Sequence, residues 1–317
     1  MKELKNVVTV TGELVKNNIE EFLTKKGEDA IGGSLILRTS DGSEHEINFF
    51  AYKFKRDENK NFTSEESYFY KQYSDAKENL KDIEHCSEEE KPAIVSITDG
   101  SFRVNDFKGN DGRVVSTNRI SARFINKIEP KDYDSTVLES KFEVEGVVES
   151  IKDEIIKDVP TGNLVVNMMG IDQTADSFGK DAVYTADHLI PIKMTVDKAM
   201  AAPFRSAGYY DGCYTKFVGT VINSVETEEQ IEKVAFGDDI KHLVKTYVRK
   251  NEIKSGTMPS TIFEHELTQE IVDALRAKRK ATIAEIASSQ SKQDELPFKP
   301  DTSTPAPQTT YNPFAQH

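Results

Sequence analysis

The chain has 317 residues, 37% of them hydrophobic and 30% charged, and a formal net charge of −13. Its longest apolar runs are about four residues, such as Phe49-Phe50-Ala51-Tyr52, whereas a membrane-spanning helix needs about 20, so such a helix is excluded. The first residues lack an apolar segment, and we therefore expect no secretory signal and a cytoplasmic protein.

The acidic balance argues against a protein that coats nucleic acid through bulk positive charge. Acidic residues outnumber basic ones in each of the segments 1–140, 141–225 and 226–317. Any anion-binding site must therefore arise from local segregation of charge. The only cysteines, Cys86 and Cys213, cannot supply a disulfide framework or a four-cysteine zinc site.

The first part of the chain predicts the order strand, strand, strand, helix, strand, strand. Runs rich in β-branched and aromatic residues place the strands at 7–14, 34–40, 44–56, 93–98 and 113–128. Ser64 begins the predicted helix as a plausible cap. We expect one unit over residues 1–135.

A weak internal repeat predicts a second unit of the same kind over residues 140–237. Residues 8–16 and 142–150 both alternate apolar positions and place a glycine, Gly12 or Gly146, at the fifth position. Further strands of this unit are predicted at 164–168, 189–196, 212–224 and 230–236.

The remainder of the chain predicts a helical segment and a tail. After Asp238-Asp239 as a cap, one helical face collects Ile240, Leu243, Val244, Tyr247 and Val248. A second helix is predicted from Ser260 to Ser288, which gives a helical segment over residues 238–290. Residues 291–317 are rich in Pro, Gln, Ser and Thr and predict a disordered tail.

Strand 44–56 is unusually aromatic. By its period of two, one face carries Phe50, Tyr52, Phe54 and Arg56, and the other carries Ile47, Phe49 and Ala51. Proteins that bind single strands need aromatic rings for the bases and cations for the phosphates. We assign the first set to a nucleic-acid groove. The alternatives are the reverse register or burial of all these rings in the core.

Strand 113–128 separates charge from apolar residues. Odd positions carry the cations Arg113, Arg119, Arg123 and Lys127, and even positions are mostly apolar. Together with Arg103 from the preceding segment, these cations predict a phosphate track. The alternative is a solvated edge strand, on which cations discourage aggregation.

The strand order, with a helix after the third strand, is that of an OB-fold. The opening Asn6-Val7-Val8-Thr9-Val10-Thr11-Gly12-Glu13-Leu14 resembles the first strand of the bacterial single-stranded DNA-binding protein family, over about residues 6–130 and more faintly 141–237. The resemblance implies a mainly β protein with a C-terminal helical part and two tandem OB-like barrels. It implies a phage-type protein in the bacterial host cytoplasm that coats and protects single-stranded DNA in replication or recombination. The second barrel is an alternative site for self-association, so a homo-oligomer is a further expectation.

The tail contains a peptide with two resemblances, formed by Gln293, Asp294, Glu295, Leu296, Pro297 and Phe298. It resembles the acidic terminal peptide with which single-stranded DNA-binding proteins recruit replication partners, although 19 residues follow Phe298. It also resembles the Gln-x-x-Leu-x-Phe peptide bound by bacterial sliding clamps, and a clamp is therefore an expected partner.

No motif of an enzyme is present: His-Glu-x-x-His, a phosphate loop and Gly-x-Ser-x-Gly are all missing. We therefore predict no catalytic residue, metal site or cofactor, and no enzymatic activity. Two other functions fit the sequence. One is a protein-binding scaffold or virion component built on the barrels, and the other is an inhibitor that mimics nucleic acid through acids on its barrel face.

Overall fold

The structure is a computed structural model, and it describes most of residues 1–288. The residues outside the description are 58, 60, 88–89, 110, 177–181, 233–235, 237–239, 263–266 and 289–317, together with the side chains of 226–232 and 240–245. The predicted disordered tail and its partner peptide, Gln293 to Phe298, therefore lie outside the described residues. No helix within the description has the length and apolar content needed to cross a membrane.

Five strands close the first barrel. They are β1 (Asn6–Asn17), β3 (Asp29–Arg38), β4 (Glu44–Tyr52), β7 (Ile94–Lys108) and β8 (Val114–Ser121). β1 pairs antiparallel with β3 and β7, β3 with β4, and β7 with β8, while β4 and β8 are parallel. The helix α1 (Tyr68–Asn79) lies in the connection between β4 and β7. This circuit, with one parallel pair, is OB-like.

Short elements surround this barrel. They are β2 (Glu20–Leu23), which pairs with β3, the hairpin of β5 (Phe54–Arg56) and β6 (Phe62–Glu66), β9 (Asn126–Lys127), which pairs with β7, and the 3-10 helices Ile83–His85 and Pro130–Ser135. β2 widens the sheet on one side of β3. The β5–β6 hairpin follows directly after the end of β4.

The second half of the chain repeats the circuit. Its strands are β10 (Ser140–Ile156), β11 (Val159–Ala175), β12 (Tyr184–Val196), β13 (Tyr214–Glu232) and β14 (Ile240–Gly256). β10 pairs antiparallel with β11 and β13, β11 with β12, and β13 with β14, while β12 and β14 are parallel. The helix α2 (Lys198–Ser206) again lies in the connection between the third and fourth strands.

The repeated glycines occupy equivalent places in the first strands of the two circuits. A Cβ on Gly12 would lie 2.8 Å from the Arg38 carbonyl oxygen, and one on Gly146 would lie 2.2 Å from the Met169 carbonyl oxygen. Within its own circuit, each first strand pairs with two neighbours, and the backbone of one of them passes over the glycine. Only a residue without a side chain allows this close approach.

The core continues through both barrels. Alternate residues of β1, including Val8, Val10 and Leu14, are buried, as a half-exposed strand requires. One apolar cluster joins these residues to Phe142 and Val144 of β10. Because β1 also pairs antiparallel with β10, the two barrels share a continuous sheet.

The helix α3 (Gln269–Ser288) completes the fold. Its buried residues Val272 and Leu275 pack in a second apolar cluster with Leu4, Leu189 and Tyr214. The predicted fold class is thus confirmed as mainly β with a C-terminal helix and an OB-like architecture. The predicted start of this helix at Ser260 is wrong, because regular helix begins at Gln269.

The helix predicted after Asp238-Asp239 is also wrong, because residues 240–256 form strand β14. Its apolar spacing fits a helical face, but the segment Thr246-Tyr247-Val248 favours a strand and β13 offers an antiparallel partner along its whole length. The last strand of the second circuit is therefore β14, beyond the predicted boundary at residue 237. Tertiary pairing has overridden the local pattern.

Candidate nucleic-acid interface

Strand β4 presents opposite faces to the core and to solvent. Ile47, Phe49 and Ala51 are at most 6% exposed, whereas Phe50 is 50% exposed and Tyr52 is half-buried. The residues assigned to the core and to the groove therefore point in the expected directions up to Tyr52. The assigned role of the outer residues in nucleic-acid binding stays a prediction.

Four aromatic rings form a continuous surface on the outside of the first barrel, which we call the aromatic row: Phe22, Phe50, Tyr52 and Phe62. The ring centroids of Phe22 and Phe50 are 6.2 Å apart, those of Phe50 and Tyr52 are 4.9 Å apart, and those of Tyr52 and Phe62 are 5.2 Å apart. The row follows from the strand register, because Ala30 of β3 pairs with Phe22 on one side and Tyr52 on the other.

One cation belongs to the aromatic row. The guanidinium carbon of Arg56 lies 4.3 Å from the Tyr52 ring centroid and 4.6 Å from that of Phe62. Its Nη2 lies 3.8 Å from the Glu28 carboxylate, and 39% of the Arg56 side chain remains exposed. A guanidinium beside exposed rings offers both stacking and a phosphate contact.

Phe54 lies outside the row. It belongs to the short strand β5 and is half-buried, and Lys53 Nζ lies 5.9 Å from its ring centroid. The strand predicted to run unbroken over 44–56 ends at Tyr52, so the period of two no longer applies to Phe54 and Arg56. Phe22 and Phe62 take places in the row that sequence reasoning missed, since both lie in short strands within charged segments.

The unbroken strand predicted over 113–128 is wrong, while the nucleic-acid role predicted for its cations stays a prediction. β8 ends at Ser121, and β9 covers only Asn126 and Lys127, so alternation is lost between them. Arg123 instead lies in the connection, where its Nε is 3.4 Å from an Asp99 carboxylate oxygen. Asp99 also accepts hydrogen bonds from the backbone N–H groups of Arg123 and Phe124.

The remaining predicted cations are scattered. Arg113 is exposed at the β7–β8 turn, 3.8 Å from Asp111, and Lys127 is exposed on β9. Arg103 on β7 forms an ion pair with Asp172 of the second barrel. Arg119 on β8 is exposed and makes no ion pair with a carboxylate in the described part of the chain.

Arg119 nevertheless shares the outer face with the aromatic row. β4 and β8 are parallel and pair Ile47 with Ile120, so Arg119 lies level with Glu46. Phe50 is four residues further along β4, which is about 13 Å at about 3.3 Å per residue. One outer face therefore has an aromatic end and a cationic end.

Acidic residues on the same face limit its attraction for phosphate. Glu20 is exposed near Phe50, since Glu20 pairs with Gly32 and Gly32 pairs with Phe50, and Glu46 is exposed level with Arg119. These carboxylates repel a phosphate backbone. Ring stacking, rather than net charge, must therefore supply most of any affinity for a strand at this end.

The described residues contain no group of three or more His, Cys, Asp or Glu side chains placed to hold a metal ion. The carboxyl of Asp187, near the cationic end, accepts a hydrogen bond of 2.6 Å from Lys278 Nζ. This hydrogen bond holds the pKa of Asp187 below its usual value. Asp187 therefore stays ionised beside the cations.

Comparison with known proteins gives one family. A protein-family model described as YorF matches residues 5–289. No curated protein matches the chain.

Among solved structures, the chain is similar to the single-stranded DNA-binding protein from Thermus aquaticus. A deletion mutant of that protein aligns at 12% identity and a TM-score of 0.44, covering 82% of this chain and 97% of the other. The wild type aligns at 11% identity and 0.43, covering 82% and 95%. A replication protein A heterotrimer bound to single-stranded DNA aligns at 14% identity and 0.21, covering 90% and 54%. Because these TM-scores lie below 0.5, the OB-like architecture rests on the strand pairings described above.

Proposed function

The chain belongs to the YorF family, and from the outer face of its first barrel we propose that it binds single-stranded DNA. The observation that carries this proposal is the aromatic row with Arg56 against its rings. Exposed rings 5–6 Å apart offer successive surfaces on which unpaired bases stack, and each such contact is worth about 1–3 kcal/mol. Two of the rings, Phe50 and Tyr52, lie on the third strand of the barrel circuit, and the short strands β2 and β6 supply the other two beside it. The second and third strands form the face with which OB-folds bind oligonucleotides.

Stacking also explains how a chain of net charge −13 binds a polyanion. Every base has an aromatic face, so affinity through rings needs little positive charge. With Arg56 as the cation against the row, we expect about one or two phosphate contacts. Counterion release then gives a slope of about −0.7 to −1.4 for log K against log salt on a single strand.

The mode of action that we propose is binding without catalysis. Beyond the site itself, the proposal is that the chain coats single strands in replication or recombination, in a phage or another genome. Recruitment of a sliding clamp through Gln293 to Phe298 is proposed from the sequence alone. The alternative of a protein-binding scaffold predicts that the aromatic row contacts a protein and leaves DNA unbound.

A titration tests the proposal. The full chain is added to a fluorescently labelled, mixed-sequence single strand of about 40 nucleotides and to a duplex of the same length, at low and moderate salt. We expect saturable binding to the single strand, weaker binding to the duplex, whose bases are already stacked, and the shallow salt dependence given above. Equal affinity for both forms would overturn the proposal. No binding at low salt would also overturn it and would favour the scaffold.

A further inference from the structure

A cleft of about 470 Å³ lies where β7 and β8 of the first barrel, β12 of the second barrel and the helix α3 meet. We call it the junction cleft. The apolar residues that line it are Val104, which is half-buried, and the buried Leu189, Ile190 and Leu275, and the cations are Arg103, Arg119, Lys278 and Arg279. This size and this mixture are typical of a site for a small ligand with an apolar body and an anionic group.

The central feature of the junction cleft is a pair of like charges. Arg103 and Arg119 lie directly opposite each other on the antiparallel strands β7 and β8. Like charges in such a cross-strand pair repel and destabilise the sheet. Asp172 pairs with Arg103, but Arg119 has no carboxylate partner in the described part of the chain. One guanidinium of the pair is thus left for an anion.

The other cations of the junction cleft have acidic partners. Arg279 pairs with Asp106 at 3.0 Å, and Lys278 pairs with Asp187 at 2.6 Å. These two pairs fix α3 over the cleft and leave its own cations largely neutralised. The uncompensated charge is therefore concentrated at Arg119, in a cleft whose apolar lining includes the half-buried Val104.

We propose that the junction cleft binds a nucleotide, with the phosphate between Arg103 and Arg119 and the base against the apolar residues. A guanidinium offers several N–H donors in one plane, which suits the oxygens of a phosphate. The bound anion would supply Arg119 with the opposite charge that Asp172 supplies to Arg103, and this gain is available only to a negatively charged ligand. The site is separate from the aromatic row and does not depend on the function proposed for it.

The test uses 5′-thymidylate and inorganic phosphate as probes, each titrated calorimetrically into the full-length chain. We expect one thymidylate per chain, bound at least tenfold more tightly than inorganic phosphate because the apolar residues contact the base. Arg119→Ala should weaken thymidylate binding at least tenfold. The matched control is Arg205→Ala, which removes the same charge from an exposed pair with Asp153 on the second barrel and should leave the affinity unchanged.

Two results would overturn the proposal: no saturable thymidylate binding to the unmodified chain, or equal affinity in Arg119→Ala and Arg205→Ala. Circular dichroism of both variants checks that they are folded. Competition with the labelled oligonucleotide then separates two sources of the nucleotide, both of which support the site. Displacement of the strand by thymidylate assigns the site to a nucleotide within a strand, and simultaneous binding assigns it to a free nucleotide.

The double variant Phe50→Ala/Tyr52→Ala separates this proposal from the one made for the aromatic row. It should lose affinity for the oligonucleotide and still bind thymidylate at the junction cleft. If the chain binds thymidylate but no oligonucleotide, the function proposed for the aromatic row fails while the junction cleft stands. If it binds the oligonucleotide but no thymidylate, the reverse holds.

Discussion

Arg279 of α3 donates two hydrogen bonds, of 3.0 and 3.1 Å, to the two carboxylate oxygens of Asp106 on β7. A third hydrogen bond, of 3.1 Å, joins Arg279 to the Ser116 hydroxyl on β8. The side chains of Arg279 and Asp106 are only 14% and 9% exposed. This bidentate pair therefore attaches the C-terminal helix to the first barrel with little competition from water.

We expect Arg279→Ala to lower the free energy needed to open α3 by about 3 kcal/mol, because the substitution leaves the mostly buried Asp106 carboxylate without its partner. The measurement is amide hydrogen exchange within α3, which should become about 100-fold faster. The control is Arg276→Ala, whose exposed pair with Asp273 is worth less than about 1 kcal/mol. Similar protection of α3 in the two variants would show that the Asp106 pair does not hold the helix.

Gly33 provides a second prediction about stability. Its φ of +140° is rarely adopted by other residues, and an added Cβ would lie 1.9 Å from the Asn18 carbonyl oxygen. Gly42 also has a positive φ, +78°, but open space around it. We expect Gly42→Ala to cost about 1 kcal/mol from backbone strain alone, and Gly33→Ala to cost several times more because the backbone of Asn18 must move. Thermal unfolding midpoints compare the two, and equal shifts would mean that the contact with Asn18 relaxes easily.

His45 on β4 predicts a dependence of stability on pH. Burial lowers its pKa to about 4, and Asp41 only partly opposes the shift. Because the pKa in the folded state lies below the unfolded value of about 6.5, the folded state binds the proton less readily. The stabilising contribution of His45 is therefore complete above about pH 6.5 and is lost as the pH falls towards about 4.

His45→Gln isolates this contribution from the many carboxylates that titrate nearby in pH. The stability of the unmodified chain should fall relative to the variant by up to about 1.4 kcal/mol per pH unit between about pH 6.5 and 4. Urea unfolding of both proteins at about pH 7 and 5 measures the difference. A constant difference at the two pH values would contradict the assignment of a buried neutral imidazole.

Salt dependence distinguishes Arg56, the cation of the aromatic row, from Arg123, which lies in the connection after β8. We expect Arg56→Ala to reduce the magnitude of the slope of log K against log salt for the single strand by about 0.7, the value for one phosphate contact. Arg123→Ala should leave the slope nearly unchanged, because Asp99 already neutralises Arg123. Anisotropy titrations at four or more salt concentrations, on the order of 50–300 mM, give both slopes. A larger change for Arg123→Ala would place the phosphates along the connection after β8 instead.

The sequence predicts the two faces of β4 because one face of a barrel strand must be apolar. The alternating residues Ile47, Phe49 and Ala51 identify that face, and they are buried. The repeated glycine is visible in the sequence because a neighbouring backbone passes close to both first strands and requires a glycine in each. Strand β14 could not be predicted from the sequence, since Ile240, Leu243 and Val244 also fit a helical spacing. Only the pairing with β13 decides between helix and strand.

The cations were harder to place than the rings. The acid that neutralises Arg103 is Asp172, 69 residues away in the other barrel, and no local pattern connects them. Phe22 and Phe62 join the aromatic row only because β2 and the β5–β6 hairpin pack beside β4. A sequence pattern thus identified which residues of one strand face outward, while the assembled surface depended on contacts between distant segments.

Removal of rings from the aromatic row tests the central claim most directly. In the titration of the labelled single strand, Phe50→Ala/Tyr52→Ala should weaken binding by about 2–6 kcal/mol, which is at least about 30-fold, because two stacking surfaces are lost. Tyr210→Ala, which removes a ring that is 51% exposed on the second barrel, should change the affinity less than twofold. Equal affinity of the double variant and the unmodified chain would contradict the account, because the first barrel would then bind DNA, if at all, without its exposed rings.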